Sequence, residues 1–153
     1  MNPEFSERVA LELLQEKDLA AVMHIEKCCY SFPWSQGVFA DCLRSGYDLL
    51  GAWDNSRLLG YAVLRQVLDE IHLLNLCVAP HCRGQGVARI LLRSLMQGAR
   101  ENGAVVVSLE VRASNVAARA LYRSEGFMDI ALRPDYYPDA RGREDGHIME
   151  CHL

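Results

Sequence analysis

Residues 73–92 read LLNLCVAPHCRGQGVARILL. An apolar run comes first, two glycines follow, and an apolar-periodic stretch comes after them. A strand, a glycine turn and a helix in that order let backbone amides hold an anionic group such as phosphate. Glycine has no Cβ, so Gly84 and Gly86 allow unusual φ/ψ and close approach of a ligand to the backbone. The helix beyond them opens with unpaired N–H groups and a partial positive charge. Arg83 stands just before it, and Arg89 falls in its first turn, where a cation opposes the helix dipole. Two arginines at a positive helix end point to an anion held there; the bland alternative is that both project into water.

The remaining pattern places this unit in a single α/β domain spanning residues 1–153. Residues 8–14 partly alternate and read as a strand. Residues 17–29 read as a helix with Leu19, Val22, Met23 and Ile25 on its apolar stripe, broken by SFPWS at 31–35. Ser35 can cap a short helix that ends near Gly46. Residues 47–53 and 58–68 read as strands joined by the turn DNSR, and 70–78 as another. The helix after Gly86 puts Val87, Ala88, Leu91, Leu92, Leu95, Met96 and Ala99 on one face and stops at Asn102-Gly103. VVVSLEV, 105–111, reads as a buried strand, Asn115 as the cap of a helix closed by Gly126, and 127–136 and 145–152 as strands joined by the loop YPDARGRE. The expected order is β-α-α-β-β-β-α-β-α-β-β, a mixed, mostly antiparallel sheet flanked by helices.

Composition narrows the class. No apolar run reaches the roughly 18 residues of a membrane span, and MNPEFSERVALELL is acidic where a signal peptide is basic. Six cysteines (Cys28, Cys29, Cys42, Cys77, Cys82, Cys151) form no C-x-x-C pair; they read as reduced thiols, hence a soluble cytoplasmic protein. Cys77, His81 and Cys82 match no standard zinc spacing, so no metal is expected. A net charge of −4 argues against nonspecific nucleic-acid binding and suits a basic substrate, or merely solubility.

Three phosphate motifs compete for the glycines. The P-loop pattern G-x-x-x-x-G-K-[ST] is absent. The dinucleotide pattern G-x-G-x-x-G fits Gly84 and Gly86 but finds Arg89 where its third glycine belongs. The pattern [Q/R]-x-x-G-x-[G/A] fits Arg83, Gly86 and Ala88. In that last respect the chain resembles the acetyl-CoA motif of the GCN5-related N-acetyltransferases. The segment NVAARALYRSEGF, 115–127, resembles the second signature of that superfamily at Asn115, Ala118, Leu121, Tyr122, Gly126 and Phe127. FPWS at 32–35, LEVRASN at 109–115, ALY at 120–122, YYP at 136–138 and GRED at 142–145 resemble, more narrowly, the bacterial ribosomal-protein-alanine N-acetyltransferases, whose acceptor is the N-terminal alanine of a small-subunit ribosomal protein.

This resemblance implies roles that the residue pattern alone leaves open. Glu110 shares a strand face with Val106 and Ser108, opposite Val105, Val107, Leu109 and Val111. By pattern it is solvated at an edge, paired, or functional; by resemblance it accepts the proton of the amine. Tyr122, by pattern a core tyrosine, is by resemblance the proton donor to the CoA sulfur. Leu76, Cys77 and Val78 would run beside pantetheine, and Arg83, Gly84, Gln85, Gly86, Val87, Ala88 and Arg89 would hold pyrophosphate. Asn115 is a helix cap, a cofactor contact, or both. Phe32, Pro33 and Trp34, with Tyr136, Tyr137 and Pro138, either pack their loops down or flank the acceptor peptide. The implied reaction takes acetyl-CoA as cosubstrate and a ribosomal-protein N-terminus as acceptor, with no metal, no direct nucleic-acid or membrane partner, and a monomer as the simplest assembly. The competing readings are acetylation of lysine or a small-molecule amine, a non-catalytic acetyl-CoA-binding module, and a dinucleotide-binding protein.

Overall fold

The structure, a computed structural model, describes residues 3–153. Its elements are α1 (Pro3–Arg8), β1 (Val9–Leu13), α2 (Leu19–Cys29), α3 (Gln36–Arg44), β2 (Asp48–Asp54), β3 (Arg57–Val67), β4 (Glu70–Val78), α4 (Val87–Glu101), β5 (Val106–Arg112), α5 (Val116–Ser124), β6 (Met128–Asp139) and β7 (Gly142–His152). Short 3-10 turns precede α2 and α4. Seven strands form one sheet in the order β1-β2-β3-β4-β5-β7-β6. The β4–β5 pair is parallel, and its crossover is α4, as a parallel connection requires. The pairs β1–β2, β2–β3, β5–β7 and β6–β7 are antiparallel. This is the mixed, mostly antiparallel α/β fold that the periodicity predicts.

Local rules account for most boundaries. The Ser35 side chain accepts from Val38 N at 3.3 Å and starts α3. Asn55, at φ 55°, turns the β2–β3 hairpin, a backbone state that Asn tolerates. Helix α4 buries Val87, Leu91, Leu92, Leu95, Met96 and Ala99. It ends where Ala104 N reaches Ala99 O (3.0 Å) across Gly103 at φ 76°. The Asn115 side chain accepts from Ala118 N at 3.2 Å and starts α5.

The chain packs as two compact units. One holds the residues up to Arg65 together with Leu74–Leu95; Leu19, Val22, Phe39, Leu49, Leu59, Tyr61, Val63 and Leu91 form its core. The other holds Gln66–Leu73 and Met96–Leu153, with Val107, Leu109, Tyr122, Phe127 and Met149 buried in it.

Three expectations are corrected. A helix, α1, precedes β1: its proline, early Glu4 and late Arg8 are helix signals, but one buried side chain, Phe5, is too little to set a period. Val105 lies outside β5 and is exposed, although its N–H still bonds to Asp69 O at 2.7 Å. The last hairpin has no long loop. Tyr137, Pro138 and Asp139 pair with Glu144, Arg143 and Gly142, because Asp139 Oδ1 accepts from Arg141 N (2.8 Å) and Gly142 takes φ 119°. Among the described residues no helix is long and apolar enough to cross a membrane.

Candidate active site

In the first unit the end of β4 delivers Leu76, Cys77 and Val78 to the glycine loop. Cys77 is buried, and Leu76 and Val78 are half-buried. Burial first, then the neighbouring Cys29, raises the Cys77 thiol well above its ordinary value, so it stays protonated. The backbone here lies against Gly60 of β3, where an added Cβ would stand 2.7 Å from Cys77 O and 3.2 Å from Val78 Cα. Ala79 N bonds to Leu59 O at 2.8 Å and holds the strand end in place.

A 3-10 turn over Pro80–Cys82 follows, and Arg83 is extended. Gly84 (φ 75°) and Gly86 (φ 85°) are left-handed. A Cβ on Gly84 would meet nothing within 4 Å, so the backbone conformation itself selects glycine there. Arg83, Gly84 and Gln85 are exposed, Val87 is buried, and Ala88 and Arg89 are half-buried. Ile90 N reaches back to Gly86 O at 3.0 Å. The amides of Val87 and Ala88 therefore precede the first helical bond and open the helix. This is the glycine turn into a helix start that the sequence predicts.

The same unit carries the loop after α2. Phe32 and Pro33 are exposed, while Trp34 is half-buried with its ring 5.3 Å from that of Phe39. The Trp34 N–H donates to Glu26 Oε2 at 2.9 Å. Glu26, on α2, is 1% exposed. Its Oε1 also accepts from Tyr61 Oη at 2.5 Å and from Asn75 Nδ2 at 3.0 Å. Sequence reasoning passed over Glu26, although it lies four residues from Val22 on an otherwise apolar helix face.

In the second unit Glu110 stands on β5 with its side chain a third exposed. Arg133 Nη2 of β6 lies 3.3 Å from its Oε1, and the Tyr136 hydroxyl donates to the same carboxylate. That hydrogen bond, then burial, raises the Tyr136 phenol. Burial first, with Glu110 and Tyr136 adding to it, pushes Tyr137 up to about 12. Tyr122, on α5, is buried, with its ring 5.6 Å from Phe127. Burial, and then Tyr137, raises its phenol further. Tyr137 is thus the electrostatic neighbour of both Glu110 and Tyr122.

Consecutive strand residues point to opposite faces, yet the Tyr136 and Tyr137 rings pack T-shaped at 4.9 Å. A bulge between Arg133 and Tyr137 makes this possible. Asp145 Oδ1 holds it by accepting from Asp135 N (3.0 Å), with Asp135 at φ 50°. Both rings then lie over Gly146, where an added Cβ would stand 2.9 Å from Tyr137 Cε2 and 3.3 Å from Tyr136 Cδ2. Arg133 stacks on Tyr136 at 5.0 Å and Arg112 on Tyr137 at 4.6 Å. Arg112 also donates to Pro138 O at 2.8 Å. Gly146→Ala therefore displaces the tyrosine pair and costs about 1–3 kcal/mol, read as a lower melting temperature. Asn115 is the cap of α5, one of its two expected roles.

The structure thus assembles Glu110, Tyr122, Tyr136 and Tyr137 in one unit, and the 76–78 strand, the glycine loop and the 32–34 segment in the other. Taken by itself, the second unit offers a carboxylate able to take a proton and a phenol able to donate one hydrogen bond, and the first offers helix-start amides able to hold an anion.

Residues 19–127 match the acetyltransferase (GNAT) family. The chain belongs to the GNAT acetyltransferases. Within that family it is 41% identical over 136 residues, 89% of this chain and 92% of the relative, to the [ribosomal protein bS18]-alanine N-acetyltransferase of Escherichia coli K12. The crystal structure of the ribosomal-protein-S18-alanine N-acetyltransferase from Escherichia coli superposes with a TM-score of 0.91 at 39% identity, covering 95% of this chain and 94% of that one. The fold alone is shared with the NatC complex solved with Gag peptide and CoA, at TM-score 0.81 and 20% identity over 95% of this chain and 99% of that one.

Proposed function

We propose that this acetyltransferase moves an acetyl group from acetyl-CoA to the N-terminal alanine of ribosomal protein S18. The observation that carries the reading is the extent of its identity to the Escherichia coli enzyme of that name, over nearly the full length of both chains. Acetyl-CoA supplies the activated acetyl thioester. Gly84, Gln85 and Gly86, with the Val87, Ala88 and Arg89 amides, hold its pyrophosphate beside Arg83, and the Leu76–Val78 backbone runs along its pantetheine arm. Asn115 borders the same cosubstrate. Gly60→Ala, by pushing on Cys77 and Val78, weakens CoA binding about tenfold in a titration.

Glu110 accepts the proton that the acceptor's ammonium loses. The demand is modest: an α-amine has a pKa near 8, so roughly a fifth is neutral near pH 7.4, against roughly a thousandth of lysine. Tyr122 faces a harder task. A phenol near 10 is a weaker acid than a thiol near 8.5, and burial weakens it further. Tyr122 therefore acts by hydrogen bonding to the charge that develops on the departing sulfur. Phe32, Pro33 and Trp34, with Tyr136 and Tyr137, form the lip that receives the peptide.

Competition among acceptors tests the substrate. A peptide opening on free alanine outcompetes the same peptide with a blocked α-amine and an internal lysine, and outcompetes a polyamine. Preferential acetylation of lysine or polyamine would remove the N-terminal reading while leaving the family unchanged.

A further inference from the structure

We propose that Glu26 is a positioning residue for the acceptor, acting through the Trp34 amide. This rests on the reading of residues 32–34 as part of the acceptor lip. A carboxyl group as deeply buried as that of Glu26 needs hydrogen-bond partners, and here three donors from three separate segments supply them. Tyr61 comes from β3 and Asn75 from β4. The third donor, the Trp34 backbone, belongs to a short segment whose first two residues, Phe32 and Pro33, are exposed. Apart from the Trp34 ring on Phe39, the bond to Glu26 Oε2 ties this segment to the core.

The other carboxylate oxygen leads toward the cosubstrate strand. Asn75 Nδ2 donates to Oε1 while its Oδ1 accepts from Tyr30 Oη at 3.1 Å. Tyr30 Oη also lies 3.4 Å from Leu76 O. Glu26 therefore holds the 32–34 segment directly and reaches the Leu76 carbonyl only at second hand, through Asn75 and Tyr30. A donor network without a role at the surface would end in the core; this one ends on a lip backbone amide and a strand carbonyl.

The carboxylate and one of its side-chain donors can be altered separately. Glu26→Met leaves the Trp34 amide without an acceptor. Glu26→Gln keeps one oxygen for it, Glu26→Asp shortens the reach, and Tyr61→Phe deletes a donor on the far side. For each folded variant, Trp34 amide exchange is measured by NMR, melting temperature by calorimetry, and KM separately for acetyl-CoA and for a peptide opening on alanine. The expected result is that peptide KM follows Trp34 exchange, not melting temperature. Glu26→Met, or Glu26→Asp if the first does not fold, exposes the amide and raises peptide KM about tenfold. Tyr61→Phe lowers the melting temperature and leaves peptide KM near wild type. Acetyl-CoA KM stays within about twofold throughout. A folded variant whose Trp34 amide exchanges fast while its peptide KM is unchanged overturns the proposal. Failure of the underlying reading looks different: the wild-type protein would not acetylate the alanine peptide at all.

Discussion

Glu110→Gln lowers kcat/KM for a peptide opening on alanine by about a hundredfold or more, the range expected for losing a positioned base. Glutamine keeps the shape of the side chain and can still accept from Tyr136, so the tyrosine lip stays in place and CoA binding is retained. The loss has a pH signature. On the proposed mechanism the wild type draws on the neutral fraction of the α-amine and on Glu110 to complete deprotonation. The variant relies on the neutral fraction alone, so its rate climbs with pH toward the α-amine pKa near 8, and the gap narrows there. A peptide-length series of kcat/KM measurements between pH 6 and 9 checks this. An equal loss at every pH would show Glu110 to be a binding group and not a base.

Tyr122→Phe lowers kcat by about a hundredfold, the scale on which one preorganised donor acts on developing charge. The ring still fits against Phe127, at 5.6 Å in the wild type, so stability changes by little more than one hydrogen bond, about 1 kcal/mol. Because burial raises the Tyr122 phenol and Tyr137 stands near 12, both remain protonated above the pH at which the amine is neutral. The sign follows directly. A group whose pKa is raised keeps its proton as the pH climbs, so wild-type activity rises through about pH 8 and shows no fall from tyrosine ionisation below about pH 10. Steady-state kinetics with saturating peptide and acetyl-CoA separates this kcat effect from binding.

The parts of the fold and site that follow local rules were legible in the sequence. Gly84 and Gly86 announce left-handed turns before a helix, and Ser35 and Asn115 announce caps; each needs only its near neighbours along the chain. The proposed acceptor residues could be listed from the sequence, but their geometry could not. Tyr136 and Tyr137 share a face because Asp145, ten residues from Asp135, holds the bulge, and because Gly146 has no side chain to displace them. Arg133 meets Glu110 across two strand pairings, and Glu26 meets Tyr61 and Asn75 at separations of 35 and 49 residues. Those contacts are set by register and packing, which periodicity does not encode. The short hairpin turn was missed for a related reason: YPDARGRE is rich in loop formers, yet the Asp139 side chain and Gly142 close it in two residues.

The proposed reaction turns on one nitrogen atom. Purified ribosomal protein S18 with a free N-terminal alanine is incubated with the enzyme and acetyl-CoA, and the site of modification is mapped by fragmentation mass spectrometry. The expected result is a single acetyl group on the alanine α-nitrogen, absent with Glu110→Gln over the same interval. Acetyl groups on lysine side chains with the α-amine untouched would contradict it.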